Sequence, residues 1–107
     1  MKITHNIFIA LLKQQGLPDP EAEHKFLDNR RFKFDYAYPE VKLAIEVEGG
    51  VWIKGRHNRA SGYIKDMEKY NLANENLWHI LRYTPQQLVL SETLRQIKHL
   101  YEIKSKP

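Results

Sequence analysis

From Arg31 to Tyr38 the chain alternates without a break: Phe32, Phe34, Tyr36 and Tyr38 share one side, Arg31, Lys33, Asp35 and Ala37 the other. A period of two marks a β-strand with one face on the core. Leu43 to Glu48 repeats the pattern, with Leu43, Ile45 and Val47 opposite Ala44, Glu46 and Glu48, and Pro39-Glu40-Val41-Lys42 between the runs has the composition of a turn. The two runs should form an antiparallel hairpin with its aromatic and aliphatic side on the core. That register puts Asp35, Glu46 and Glu48 together on the other side. Leu77 to Tyr83 has the composition of a third strand.

Elsewhere the spacing is helical. Ile3 to Gln15 carries Ile3, Ile7, Ile9, Ala10 and Leu11 near a 3.6 period, and Gly16 is placed to cap the end. Asp19 before Pro20 reads as an N-cap with proline in the first turn, predicting a short second helix through about Phe26 that carries Glu23. Tyr63 to Ala73 predicts a helix with Ile64, Met67 and Leu72 on its apolar side. Thr84-Pro85-Gln86-Gln87 is a capping-box start, opening an amphipathic helix over 85–102 with a frayed tail from Ile103. The expected class is α/β in the broad sense (α+β), folded as a single domain over 1–107.

Composition narrows this picture in two ways. Hydrophobic residues make up 42% of the 107 positions, enough for one small core, and there is no cysteine. Disulfides, thiolate nucleophiles, zinc–thiolate sites and iron–sulfur clusters are excluded, so any metal must rest on oxygen or imidazole. The longest apolar run near the start, Ile7 to Leu12, is too short to span a bilayer and lacks a cleavage pattern, which predicts an intracellular protein with no membrane partner. Seventeen Lys and Arg against thirteen Asp and Glu give a net charge of +4, compatible with a nucleic-acid partner but ordinary for a small domain.

The arrangement of charge says more than its sum. Residues two apart on a strand lie about 7 Å apart and point the same way, so Glu46 and Glu48 project side by side with Asp35 across the hairpin. Three carboxylates that close repel, and a divalent cation would remove the conflict; Mg²⁺ or Mn²⁺ suits an all-oxygen donor set. Such an ion can activate water against a phosphodiester. Arg30, Arg31 and Lys33 precede the acids, and Lys54, Arg56, His57 and Arg59 follow in a glycine-punctuated stretch that reads as a loop, so the acids sit inside a rim of phosphate-binding groups. Taken singly, acids on an exposed hairpin face are usually just solvated, a basic loop is often only solubilising, and Trp52, Trp78 and the aromatic stripe are ordinary core residues. The coincidence of acids on one face favours catalysis.

The stretch Arg31-Phe-Lys-Phe-Asp35, then Pro39, Leu43-Ala-Ile-Glu46-Val-Glu48-Gly-Gly50, Gly55-Arg-His57, Asp66 with Lys69-Tyr-Asn71, and Trp78 with Leu81-Arg82 resembles the PD-(D/E)XK nuclease superfamily. Within it the chain is most similar to the small phage and bacterial endonucleases related to very-short-patch-repair and VRR-NUC nucleases. The resemblance covers about 17–84, the expected catalytic core. It implies a restriction-endonuclease-like mixed sheet flanked by helices and Mg²⁺-dependent hydrolysis of DNA, with Mn²⁺ as a substitute, in the cytoplasm of a bacterium or a phage-infected cell. Position by position, Asp35 matches the first-motif aspartate, Glu46 the second-motif acid, Glu23 the helix glutamate that often completes the metal site, and Val47 the place of a carbonyl ligand. Glu48 stands where the superfamily has lysine, which leaves a second metal, His57 or a lysine relocated to the helix, such as Lys69, for the missing role. Asp66 and Lys69 could equally pair with each other. Arg31, Lys33, Lys54, Arg56 and Arg59 would contact DNA, and a homodimer would let one site per chain cut both strands. The alternatives are a non-catalytic DNA-binding module derived from such a nuclease and, less favoured, an HNH-type site on His57, Asn58 and His79.

Overall fold

Both faces of one small sheet carry apolar residues, and helices cover both. The computed structural model describes residues 2–49 and 60–107. In chain order the elements are helix α1 (Lys2–Gln14), strands β1 (Glu21–Lys25), β2 (Lys33–Tyr38) and β3 (Leu43–Val47), helix α2 (Ala60–Glu75), strand β4 (His79–Tyr83) and helix α3 (Ser91–Lys104), with 3₁₀ turns at Pro39–Val41 and Pro85–Val89. The strands lie in the order β1-β2-β3-β4. The first three are antiparallel, whereas β3 and β4 run parallel, a pairing that requires the crossover containing α2. The molecule is thus an α+β fold with a four-stranded mixed sheet and three helices, in agreement with the expected class. No described helix is long and apolar enough to cross a membrane.

The larger core lies between the sheet and α1 and α3. Phe8 and Leu12, four apart on α1, and Leu94 and Ile97 on α3 pack against Tyr36, Tyr38, Leu43 and Ile45. The apolar stripe of α1 is therefore rotated from the expected one: Phe8 and Leu12 are fully buried while Ile7 is 45% exposed. Gly16, at φ +85°, ends α1 as predicted, with its N–H on the Lys13 carbonyl and that of Leu17 on Leu12.

The second core is small and aromatic, built from Phe34, Ala37, Ala44, Ala73 and Trp78, with Phe26 and Ile80 against it. It corrects the hairpin expectation. Ala37 and Ala44 are not on a solvated face; both are fully buried under α2. Phe34 also parts from Tyr36 and Tyr38, belonging to the α2 side while they belong to the α1–α3 side. Helix α2 begins earlier than its periodicity suggests and, among its described side chains, buries Ala73 alone fully; Ile64 and Met67 are each 57% exposed and Leu72 is half-buried, so the N-terminal part of its expected apolar side is open.

Two further expectations are corrected. The segment after Asp19 is not a helix but strand β1, paired with β2 through Ala22–Tyr36 and His24–Phe34. A helix of seven residues cannot sustain itself, whereas as a strand the same backbone closes the outer side of β2, His24 lies against Trp78 and Phe26 stacks on Phe34 at 4.3 Å. The capping box at Thr84 forms, Oγ1 accepting from the Gln87 N–H and the Gln87 side chain from the Thr84 N–H, but it opens the 3₁₀ turn. The chain extends at Leu90 before α3 starts, and α3 continues through Lys104, where a frayed tail was expected. The break allows Leu88 as well as Leu94 and Ile97 to enter the same core.

Candidate active site at the open end of the hairpin

Pairing of β2 with β3 runs from Tyr38–Leu43 to Tyr36–Ile45. The next two residues in register are Asp35 and Glu46, and they meet through side chains. The Asp35 N–H donates to Glu46 Oε2 (2.9 Å), and the Val47 N–H donates to Asp35 Oδ2 (2.7 Å). Each carboxylate thus satisfies a backbone donor that a regular ladder would have paired with a carbonyl, and the hairpin opens around them. The distortion extends to β1. Glu23, opposite Asp35 in register, has φ +55°, a left-handed conformation that costs a non-glycine residue about 1 kcal/mol or more.

Glu46 is 6% exposed, and two groups from α2 converge on its Oε1: the Lys69 ammonium at 2.6 Å and the Tyr70 hydroxyl at 3.1 Å. Lys69 therefore reaches across to the acid of the hairpin, in preference to a local pair with Asp66. Burial, reinforced by the Glu46 charge, pushes the Tyr70 hydroxyl far above the usual tyrosine range, so it stays a donor. Glu48 does not join Asp35 and Glu46. Its Oε2 accepts from Arg82 Nε at 2.8 Å, and the Arg82 guanidinium lies 4.7 Å over the Tyr70 ring. The repulsion anticipated among the three acids is thus relieved by the chain's own Lys69 and Arg82 and by backbone amides.

On the α1 side of Asp35 lies a cleft of about 240 Å³ lined by Thr4, His5, Ala22, Glu23, Asp35, Tyr36, Val47 and Leu88. Three of the four expected metal-site residues, Glu23, Asp35 and Val47, line it, and Glu46 adjoins it through Asp35. Glu23 arrives from a strand, in place of the expected helix, and its carboxylate is 68% exposed and 4.0 Å from Lys33. Two lining residues carried no sequence signal for this site: His5 on α1, whose Nδ1 is 2.7 Å from the Tyr36 hydroxyl, and Tyr36 itself. Burial raises the Tyr36 hydroxyl above its ordinary value, and the charges of Asp35 and Glu23 push the same way, a sign that the cleft is negative.

Among the described residues no three His, Asp or Glu side chains converge closely enough to hold a metal between them. The donor chemistry nonetheless fits Mg²⁺, which keeps several waters and commonly takes only one or two carboxylates from the protein. Asp35 and Glu46 are the carboxylates placed to supply those, and among the described residues lining the adjoining cleft His5 is the one imidazole beside oxygen donors. Of the expected DNA contacts, Arg31 and Lys33 are exposed at the start of β2. Lys54, Arg56, His57 and Arg59, with Trp52, lie outside the described residues. No known family, curated protein or solved structure matches the chain.

Proposed function

We propose that the chain is a Mg²⁺-dependent endodeoxyribonuclease with a restriction-endonuclease-like core of the PD-(D/E)XK type. The observation that carries this reading is the reciprocal locking of Asp35 and Glu46 at the open end of the hairpin, with the ammonium of Lys69 on Glu46. Asp35, Glu46 and the Val47 carbonyl, with Glu23 across the cleft, would hold the ion, which when bound supplies a polarised phosphate and an acidified water. The residues of the chain orient and neutralise. Backbone amides fix the two carboxylates, and Lys69 delivers from α2 the positive charge that is absent at position 48. Glu48 is left to Arg82 and drops out of the metal set. Exposed Arg31 and Lys33, together with Lys54, Arg56, His57 and Arg59, are the candidates for gripping the phosphate backbone.

Glu46 already has three partners, and that saturation favours a second reading, a DNA-binding module in which the acids serve the fold alone. Cleavage of supercoiled plasmid with Mg²⁺, with Mn²⁺ and without metal separates the two. The expected result is metal-dependent nicking by the native chain and at least a ~100-fold loss in Glu46→Gln, which keeps an acceptor for the Asp35 N–H and whose folding is checked by circular dichroism at the assay temperature. Undiminished cleavage by Glu46→Gln would remove Glu46 from the site, and DNA binding without product at any metal concentration would establish the second reading.

A further inference from the structure

A groove of about 410 Å³ runs between α2 and β4 and is lined by Tyr70, Asn74, Trp78, His79, Ile80 and Arg82. It lies within the size range of small-ligand sites, about 300–1,000 Å³. It shares Tyr70 with the acid centre, since the Tyr70 hydroxyl is bonded to Glu46. At its mouth the Arg82 side chain is 51% exposed, yet it is held on two sides, by Glu48 at Nε and by the Tyr70 ring below. A guanidinium seated over a tyrosine ring and tethered at Nε leaves its outer face as a cationic plane, onto which a heteroaromatic ring stacks. Beyond it Asn74 supplies an amide donor and acceptor, and His79 an imidazole, the groups that read a base edge.

We propose that this groove is a subsite for one unpaired nucleotide of a DNA strand, its base stacked on Arg82 and its edge met by Asn74 and His79, with Glu48 as the positioning residue for Arg82. The choice of DNA rests on the nuclease reading; the recognition of a base does not. A paired base presents no free face to such a plane, so the subsite selects strands with a base out of the helix. A bulk cationic patch would not need the tyrosine and the carboxylate that hold the guanidinium in place.

Fluorescence anisotropy in EDTA, where no cleavage intervenes, tests this with labelled oligo(dT), an abasic oligomer of the same length and a blunt duplex. The native chain should bind oligo(dT) about tenfold more tightly than the abasic strand, which has the same phosphates but no bases, the size expected from one stacked base. Arg82→Lys keeps the charge but loses the plane and should bring oligo(dT) down to the abasic level, leaving the abasic and duplex affinities within about twofold. Glu48→Ala should do the same, and Glu48→Gln, which still accepts from Nε, should restore most of the preference. Equal binding of oligo(dT) and abasic DNA by the native chain overturns the subsite, without requiring any variant to fold, as does a uniform loss on all three probes in Arg82→Lys. A chain that nicks plasmid but shows no base preference refutes the subsite alone; one that prefers oligo(dT) but never nicks refutes the nuclease reading and leaves the subsite standing.

Discussion

Lys69→Met is the perturbation that bears most directly on the site. The Lys69 and Glu46 side chains are 14% and 8% exposed and meet at 2.6 Å, so the substitution strands a nearly buried carboxylate. Removing one member of a fully buried pair costs about 3–5 kcal/mol. Glu46 keeps the Tyr70 hydroxyl and the Asp35 amide, which lowers the expectation to about 2–3 kcal/mol. For 107 residues, an unfolding entropy of about 2.1 cal/mol/K per residue converts that loss into a fall in Tm of roughly 9–13 °C. The assay is thermal unfolding followed by circular dichroism, with Glu46→Gln and the double variant completing a cycle. Because the double variant leaves no unpaired charge, it should recover at least about 1 kcal/mol relative to the sum of the single changes. A fall below about 3 °C for Lys69→Met, or simple additivity in the cycle, would refute the contact and with it the role given to Lys69.

Leu77 closes α2 in the left-handed conformation, φ +66°, with the Trp78 N–H on the Ala73 carbonyl, and its side chain is 76% exposed; Leu77→Gly should therefore stabilise the fold by about 0.5–1 kcal/mol, read as a Tm rise of a few degrees. Phe8 is fully buried, and Phe8→Ala should cost about 3–5 kcal/mol, measured as a lowered urea midpoint with m unchanged. Tyr36, Tyr38, Tyr70 and Tyr83 are all held above the ordinary value of 10.0, chiefly by burial, so the folded state keeps protons that the unfolded chain gives up. Stability should be intact below pH 10 and decline above it, with most of the tyrosinate absorbance rising together with the loss of circular dichroism; ionisation of more than two of the six tyrosines in a still-native protein would contradict this.

The hairpin was legible because unbroken alternation over six or more residues suits a strand and almost nothing else, and turn chemistry at Pro39 fixed its register well enough to bring Asp35 opposite Glu46. Gly16 and the Thr84 box were legible for the same local reason. What local patterning missed is long-range competition. Asp19-Pro20 is a sound helix start, but the unpaired side of β2 and the rings of Phe34 and Trp78 offer the following residues more as a strand. Alternation also misassigned Phe34 and Ala37, because a strand covered on both sides need not follow one polarity and because the backbone changes its habit at Asp35. The partners of the acids could not be inferred from spacing: Lys69 is 23 residues from Glu46, and Arg82 is 34 from Glu48. The resemblance offered Lys69 as one of three stand-ins for a missing lysine and not as the partner of Glu46, while His5 and Tyr36 carried no pattern that tied them to the cleft.

The two carboxylates of the open hairpin end have a consequence for how this chain can change over generations. Asp35 and Glu46 each close a backbone amide that would otherwise be orphaned, so under the proposed function selection for folding and selection for chemistry act on the same atoms. A single drift at either position is penalised twice, even in a lineage that no longer needs the reaction. The acids could therefore outlive the activity, and their presence in a descendant would testify to the sheet before it testified to catalysis.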